Sequence, residues 1–488
     1  MKSSFKPTVM LIASRAASFL ITFFIPVVLV RVFDQATFGA YKQVFLLYAV
    51  LYPIAQIGMA ESLYYFLPGH PETNGKTIFN SVVMLALSGL VCLTALAAYA
   101  RPIARWLGNP EAAVYMVPIG VFLWLMLITS VLEISMIARK QYQWASFTYV
   151  FSDLARSLCL VASAILFKHL WWVLASAIVF GCARLLYTLW YLRREFDGSL
   201  ELDWAQLRRQ FSYVLPFEAA IVAEILQTNY HQYSVSHHFG VVAFAIYSVG
   251  CLQLPFVDIV ANPACNVMMV RLAEEMGNGR HVLAIWQDTT RKLALIFVPL
   301  FALLVISSRE IILLLFTQRY AAAIPIFVLW AGVVPLAVFQ TDGLLRSFAQ
   351  TRFILYMNLL RLGIVAVFIG TAMSIFGLQG AVLITLLATA IAKGVTIVRA
   401  ARLMCVSVAQ ILPWQSLAAI CAATAVASVP TWIVKTELHF PGILQLMLMG
   451  VVFAASYGAV VWGFGILSRE ERESCVELLE LRVLANGR

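Results

Sequence analysis

The sequence predicts an all-α polytopic membrane protein. It has about fourteen transmembrane helices, arranged as two pseudo-symmetric six-helix lobes around a central cleft with two extra helices at the C-terminus. Three observations carry that prediction. The chain of 488 residues is 62% hydrophobic and only 12% charged, about half the charge of a typical soluble domain, so a water-soluble core cannot hide its apolar side chains. Its apolar runs are continuous and about twenty residues long, unlike the short alternating segments of a barrel. The first half of the chain also recurs in the second.

The runs fall at about 8–30, 40–66, 77–100, 113–138, 147–166, 170–192, 211–235, 240–262, 292–308, 323–348, 352–373, 377–399, 413–434 and 443–467. The first, in MKSSFKPTVMLIASRAASFLITFFIPVVLV, follows lysines as a signal peptide would, but it is long enough to span and reads as a retained helix. An even number of spans places both termini on one side. With that side cytoplasmic, about 21 Lys and Arg lie inside and about 8 outside, the bias that orients membrane proteins. The loops 193–210 and 271–292 carry much of the excess, and no external loop is long enough for a catalytic domain.

The repeat shows first in aromatics. Phe33, Phe38 and Tyr41 of FDQATFGAY recur 206 residues on as Phe239, Phe244 and Tyr247 of FGVVAFAIY. Glu133 and Asp342 end the fourth and tenth helices 209 residues apart, and Arg184 and Arg193 match Lys393 and Arg402 at the same spacing. Six helices per copy keep both copies in one orientation, a parallel repeat about an axis along the membrane normal. The expected organisation is an N-lobe at 1–192, a cytoplasmic linker at 193–210, a C-lobe at 211–412, helices thirteen and fourteen at 413–467, and a cytoplasmic amphipathic tail at 468–488. Two such lobes suggest alternating access around the cleft.

The formal charge of +10 does not signal nucleic acid, because the basic residues are scattered between apolar runs and not clustered with aromatics. Eight cysteines form no C-x-x-C pair and lie mostly in or beside apolar segments, as small hydrophobes do. His231, His237 and His238 cluster without carboxylates or thiolates to complete a metal site. No H-E-x-x-H, Walker, G-x-S-x-G or dinucleotide motif is present. The expectation is a protein that is not an enzyme and holds neither metal nor cofactor.

The informative residues are the charges inside the spans, each of which costs about 2.5–3.5 kcal/mol at mid-helix and less near an end. Lys42, Glu61, Glu133, Asp258, Asp342, Arg184 and Lys393 lie near an interface, where snorkelling accounts for them as well as a function does. Asp153 and Arg156 sit three residues apart on one helix face and read as a local ion pair. Arg15, Glu218, Glu224 and Arg361 are deeper and call for a polar cavity.

At this point the sequence resembles a known family. FDQATFGAYKQVFLLYAVLYPIAQIGMAESLYYFLP is similar to the opening of polysaccharide-type flippases of the multidrug/oligosaccharidyl-lipid/polysaccharide exporter superfamily. LRRQFSYVLPF (207–217) and FGVVAFAIYSVGCLQLPF resemble the start of their second lobe. EIILLLFTQRYAAAIPIF (310–327) and ARKQYQWASF (138–147) fit the same pattern. The likeness covers nearly the whole chain, through loose motifs of Gly, Pro and aromatics.

What the resemblance implies is a bacterial inner-membrane flippase moving undecaprenyl-pyrophosphate-linked sugar repeat units for O-antigen or exopolysaccharide assembly. Its partners would be that lipid-linked substrate, membrane lipid and the polymerase or assembly proteins. Helices one, two, seven and eight would line the cleft, and with them Arg15, Glu61, Glu218, Glu224 and Asp258. Arg15 is the pyrophosphate candidate, since a guanidinium meets phosphate oxygens in a fork. It would pair with Glu218 across the cleft when the inner gate closes. The alternative is an ion-coupled multidrug or metabolite antiporter on the same fold, although such relatives use a first-helix carboxylate and this first helix has an Arg instead. A membrane-embedded glycan polymerase or ligase fits less well.

Overall fold

The computed structural model describes residues 5–69, 74–196, 201–275, 279–438, 440–467 and 471–473. Among them the regular elements are all helical. The first ten helices are α1 Phe5–Val32, α2 Gln35–Gln56, α3 Met59–Gly69, α4 Asn74–Ala98, α5 Ala100–Trp106, α6 Met116–Thr129, α7 Val131–Ala138, α8 Tyr142–Phe167, α9 Leu170–Glu195 and α10 Trp204–Gly250. Next come α11 Pro255–Glu274, α12 Gly279–Ile306, α13 Ser308–Phe316, α14 Ile324–Trp330, α15 Val333–Leu336 and α16 Thr341–Ser347. The last are α17 Thr351–Phe376, α18 Leu378–Leu403, α19 Trp414–Glu437 and α20 Gly442–Gly463.

Twelve of these spans, some built from consecutive helices, are long and apolar enough to cross a membrane, and Ala16–Val32 adds a shorter apolar stretch. The seventh predicted span, 211–235, is helical inside α10. The run from Glu224 to Ser234 carries Gln227, Thr228, Asn229, His231 and Gln232, which makes it too polar to count on hydropathy alone.

Three boundaries move. The eighth predicted span, 240–262, becomes the end of α10 followed by the apolar run Phe256–Glu274. The ninth begins near His281 instead of 292. The expected loop 271–292 is therefore largely helix, because Val282, Trp286, Thr290, Leu293 and Phe297 form one buried stripe at helical spacing. Its polar residues occupy the opposite face, which made the segment read as a loop. The tail from 468 lies outside the described residues except for 471–473, where Glu471 accepts from Arg291 of α12 at 3.1 Å.

Residues 1–251 with 358–385 form one compact unit, and residues 252–357 with 386–488 form a second. In the first, α6 and α7 are central: most of the run Pro110–Ala138 is buried, and α6 packs on α2, α4 and α9 while α1 packs on α8. In the second, α12 packs on α19, α19 on α20, and α11 on α12 and α16. There Lys435 of α19 bridges Glu310 of α13 at 3.5 Å.

Local signals shape the helices that matter most. Asp34 caps α2 by accepting the Thr37 N–H at 2.8 Å. The helix stops where Ile57 and Gly58 both turn left-handed, at φ 49° and 61°. Gly240 (φ 74°, ψ −179°) breaks α10, a conformation that only glycine adopts at little cost. His231 Nδ1 lies 2.6 Å from the Tyr247 hydroxyl, sixteen residues on. A straight helix would hold them about 24 Å apart, so the chain doubles back at Gly240.

The backbone carries the repeat more sharply than the side chains do. Left-handed residues recur at a spacing of 209: Gly108 and Thr317, Lys140 and Ala349, Lys168 and Gly377. Helices α8 and α17 both have 26 residues, as do α9 and α18. Short 3-10 turns at Pro110–Tyr115 and Gln318–Ala323 occupy matching places.

Candidate functional site

The break between α2 and α3 is the centre of the candidate site. One face of α10 runs along it, made of Asp203, Gln206, Gln210, Val214 and Glu218 at intervals of three and four residues. Each residue of this stripe meets α3, α4 or the break. The Asp203 backbone exchanges two hydrogen bonds with the Asn80 amide, at 3.1 and 3.0 Å. Gln206 Nε2 donates to Thr77 Oγ1 at 3.2 Å. Gln210 Nε2 donates to Ser62 Oγ at 3.1 Å and Ser81 Oγ at 3.0 Å. The two serines in turn donate to the Met59 carbonyl at the start of α3.

Farther along the stripe, Val214 and Glu218 press on Gly58. A Cβ there would lie 2.9 Å from the Val214 Cβ and 3.4 Å from Glu218 Oε2, so glycine is needed for space as well as for its backbone angle. Glu218 is buried, and its Oε1 accepts no hydrogen bond among the described residues. Glu61, three residues past Gly58, is exposed and near enough for its charge to repel that of Glu218. A buried carboxylate oxygen without a donor is costly unless a proton, a cation or a substrate donor supplies the missing bond.

The opposite end of α2 carries a second polar junction. Gln43 Nε2 donates to the Leu107 carbonyl and to Ser236 Oγ, both at 2.9 Å. Asn109 Nδ2 donates to Gln43 Oε1 at 2.8 Å, and Ser236 Oγ donates to the same Leu107 carbonyl at 2.9 Å. All the polar atoms of Gln43 are thereby used. The histidine cluster is absorbed nearby: His237 Nδ1 lies 2.7 Å from the Trp106 carbonyl and His238 Nδ1 2.8 Å from that of Ser234. Helix α10 is therefore tied to α2–α5 near its start and just before the Gly240 break by amides and hydroxyls.

The other intramembrane charges divide sharply. Glu133 and Arg184, which snorkelling would have explained, form a buried pair, with Arg184 Nη2 2.8 Å from both carboxylate oxygens. Arg184 Nε donates to Thr129 Oγ1 at 3.1 Å, and Nη1 reaches Ser152 Oγ. Asp153 and Arg156 form the expected i,i+3 pair at 2.7 Å, and Arg156 also reaches Thr22 Oγ1 of α1 at 3.4 Å. Lys42 Nζ lies over the Phe38 ring.

The repeat counterparts behave differently. Lys393 donates to the Phe339 carbonyl at 2.6 Å, while Asp342 is exposed. Glu224 and Asp258 are exposed, and Arg361 is half-buried in α17. Arg15 lies on α1, but its side chain is outside the described residues, as is any pairing with Glu218. Among the described residues, no group of three His, Cys, Asp or Glu side chains is placed to hold a metal.

Gln43, Asn109, Gln206 and Gln210 are absent from the sequence reading, which followed charges. The signal that could have found them is a Gln or Asn inside an otherwise apolar helix, since a buried amide needs partners as much as a charge does.

Comparison with known proteins agrees with this architecture. A lipid II flippase, MurJ, in an inward closed conformation is 12% identical; the match covers 95% of this chain and 100% of that one, with a TM-score of 0.74. An inward-facing multidrug resistance transporter of the MATE family is 11% identical over 80% of this chain and 96% of that one, with a TM-score of 0.61. A transporter of the same superfamily from Pyrococcus furiosus is 10% identical over 81% and 94%, with a TM-score of 0.56. At these identities the likeness establishes the fold. No curated protein matches the chain by sequence. The profile of polysaccharide biosynthesis proteins matches residues 28–325, well over half the chain, and the protein therefore belongs to that family.

Proposed function

We propose that this protein flips undecaprenyl-pyrophosphate-linked oligosaccharide repeat units across a bacterial inner membrane, with both termini cytoplasmic, for O-antigen or exopolysaccharide assembly. Family membership supports polysaccharide biosynthesis, and likeness to a lipid II flippase over nearly the whole chain supports a lipid-linked substrate. The observation that carries this reading over drug antiport is the state of the three acids in the first six spans, of which Glu61 is exposed near the end of its span and the other two are paired. Glu133 and Asp153 are each bound to an arginine, and the first helix has Arg15 where an antiporter would need an acid. Arg15 is the proposed partner of the pyrophosphate, whose oxygens a guanidinium can meet in pairs. The sugars would be met by amides and aromatics, and the polyprenyl chain would stay in lipid.

Alternating access needs junctions that can open. In this reading the Gln43–Asn109–Ser236 cluster is the periplasmic latch, and the Gln206–Gln210 contacts are its cytoplasmic counterpart. Both are neutral hydrogen bonds, each of about 0.5–1.5 kcal/mol net, so they can be exchanged without stranding a charge.

A second reading rests on Glu218, whose buried, unpartnered oxygen suits a coupling proton or cation and keeps ion-coupled antiport as the alternative. Gene deletion separates the two. A flippase loss abolishes a surface polysaccharide and leaves lipid-linked units in the cytoplasmic leaflet; intact polysaccharide with raised dye sensitivity would indicate the antiporter.

A further inference from the structure

Where α7 stops, α8 starts and α9 ends, residues including Gln141, Trp190, Tyr191 and Arg194 line a pocket of about 140 Å³. Its floor is a fixed polar chain. The Tyr191 hydroxyl donates to Gln141 Oε1 at 2.8 Å, and Gln141 Nε2 donates to Glu195 Oε2 at 3.0 Å. Its wall holds Arg194, whose guanidinium lies 5.3 Å from the centre of the Trp190 ring. Arg194 donates no hydrogen bond and forms no ion pair among the described residues, so its N–H fork is available. Arg139 lies at the same end, where it donates to the Glu195 carbonyl, so a second guanidinium stands beside the one carboxylate of the lining.

Directly below, α8 carries an unpartnered aromatic track. Trp144, Phe147 and Phe151 are 61%, 60% and 58% exposed, and Phe147 stacks on Phe151 at 5.6 Å. Their spacing puts them on one helix face. Since α8 is long and apolar enough to span the membrane, this exposed aromatic face suits contact with acyl chains. A cationic pocket at the end of a span, continuous with an aromatic track into the bilayer, matches a molecule with a phosphate head and hydrocarbon tails. Basic pockets between membrane helices bind lipid phosphates by this chemistry, and the aromatic–arginine face lowers the cost of holding the guanidinium ready.

The geometry points to a binding site for one anionic phospholipid, with its phosphate on Arg194 and an acyl chain along Phe147 and Phe151. Its lining shares no residue with the site at the α2–α3 break, and it does not depend on what is transported.

Native mass spectrometry of the detergent-purified full-length protein, titrated with dioleoyl phosphatidylglycerol, tests it. The first lipid should bind wild type about five- to tenfold more tightly than Arg194→Gln. Arg193→Gln, which changes the neighbouring charge outside the pocket lining, should retain wild-type affinity. Phe147→Ala with Phe151→Ala should weaken binding, and glycerol 3-phosphate at millimolar concentration should not displace the lipid. Arg194 is exposed and unpaired, so its variant should keep the lipid-free melting temperature. Equal affinity in Arg194→Gln and wild type would overturn the site. Equal loss in Arg193→Gln would reduce it to diffuse surface charge, and displacement by glycerol 3-phosphate would make it a soluble-phosphate site.

Discussion

Arg184 of α9 clasps Glu133 of α7 through a single nitrogen 2.8 Å from both carboxylate oxygens. Thr129 and Ser152 take two more of the guanidinium's N–H groups. The pair joins α6, α7, α8 and α9 at one point. Removing one partner of such a buried pair leaves the other uncompensated, at about 3–5 kcal/mol. Glu133→Ala and Arg184→Ala should each lower the thermal midpoint and yield in detergent. Glu133→Leu with Arg184→Met should recover much of the loss, because replacing both charges by apolar groups is close to neutral.

The Gln43 junction should be separable from overall stability. Gln43→Leu leaves the Asn109 amide and the Leu107 carbonyl short of a partner, at about 1–3 kcal/mol. Hydrogen exchange should rise at 107–109 and around 236, while protection in α6 and α9 stays as in wild type.

Glu218 should behave in the opposite way. Glu218→Gln keeps the shape and removes a buried charge that has no donor for Oε1, so the melting temperature should hold or rise. Transport should fall several-fold if the carboxylate exchanges a proton, cation or substrate contact. Comparing melting curves with transport rates at equal protein level checks both.

At the start of α10, the Asp203 carboxylate accepts the Gln206 N–H at 3.0 Å. That bond, with Lys76 and Arg209 nearby, holds its carboxyl below the usual range. Since the folded pKa is the lower one, the stabilisation is present above about pH 4 and is lost as pH falls through the folded value. Asp203→Asn, which still caps, should flatten this acid-side dependence. Asn80→Leu should loosen the same junction at every pH.

The fold was legible because span length, charge depletion and the recurring aromatics are properties of sequence itself. Much of the site was not. Glu133 and Arg184 are 51 residues apart, and nothing local says that α7 and α9 meet there, so each looked like an end-of-helix charge. The repeat shows in the sequence at Phe33 and Phe239, yet its firmest markers are left-handed residues that leave little trace there. Of Gly108, Lys140, Lys168, Thr317, Ala349 and Gly377, two are glycine. Tertiary context holds the others there against their local preference. Charge alone does not point to the amides of Gln43 and Gln210, which tie α10 down near its start and just before the Gly240 break.

Reconstitution tests the central claim most directly. The purified protein is placed in vesicles with a fluorescent undecaprenyl-pyrophosphate oligosaccharide, and an impermeant quencher reports the leaflet of the label. Wild-type protein should bring the label into exchange between leaflets. Arg15→Ala should abolish most of that exchange, and Arg15→Lys should restore it only in part, because lysine lacks the two-pronged fork. Label that stays in its original leaflet with active wild-type protein, in vesicles that accumulate a cationic dye against an ion gradient, would contradict the account.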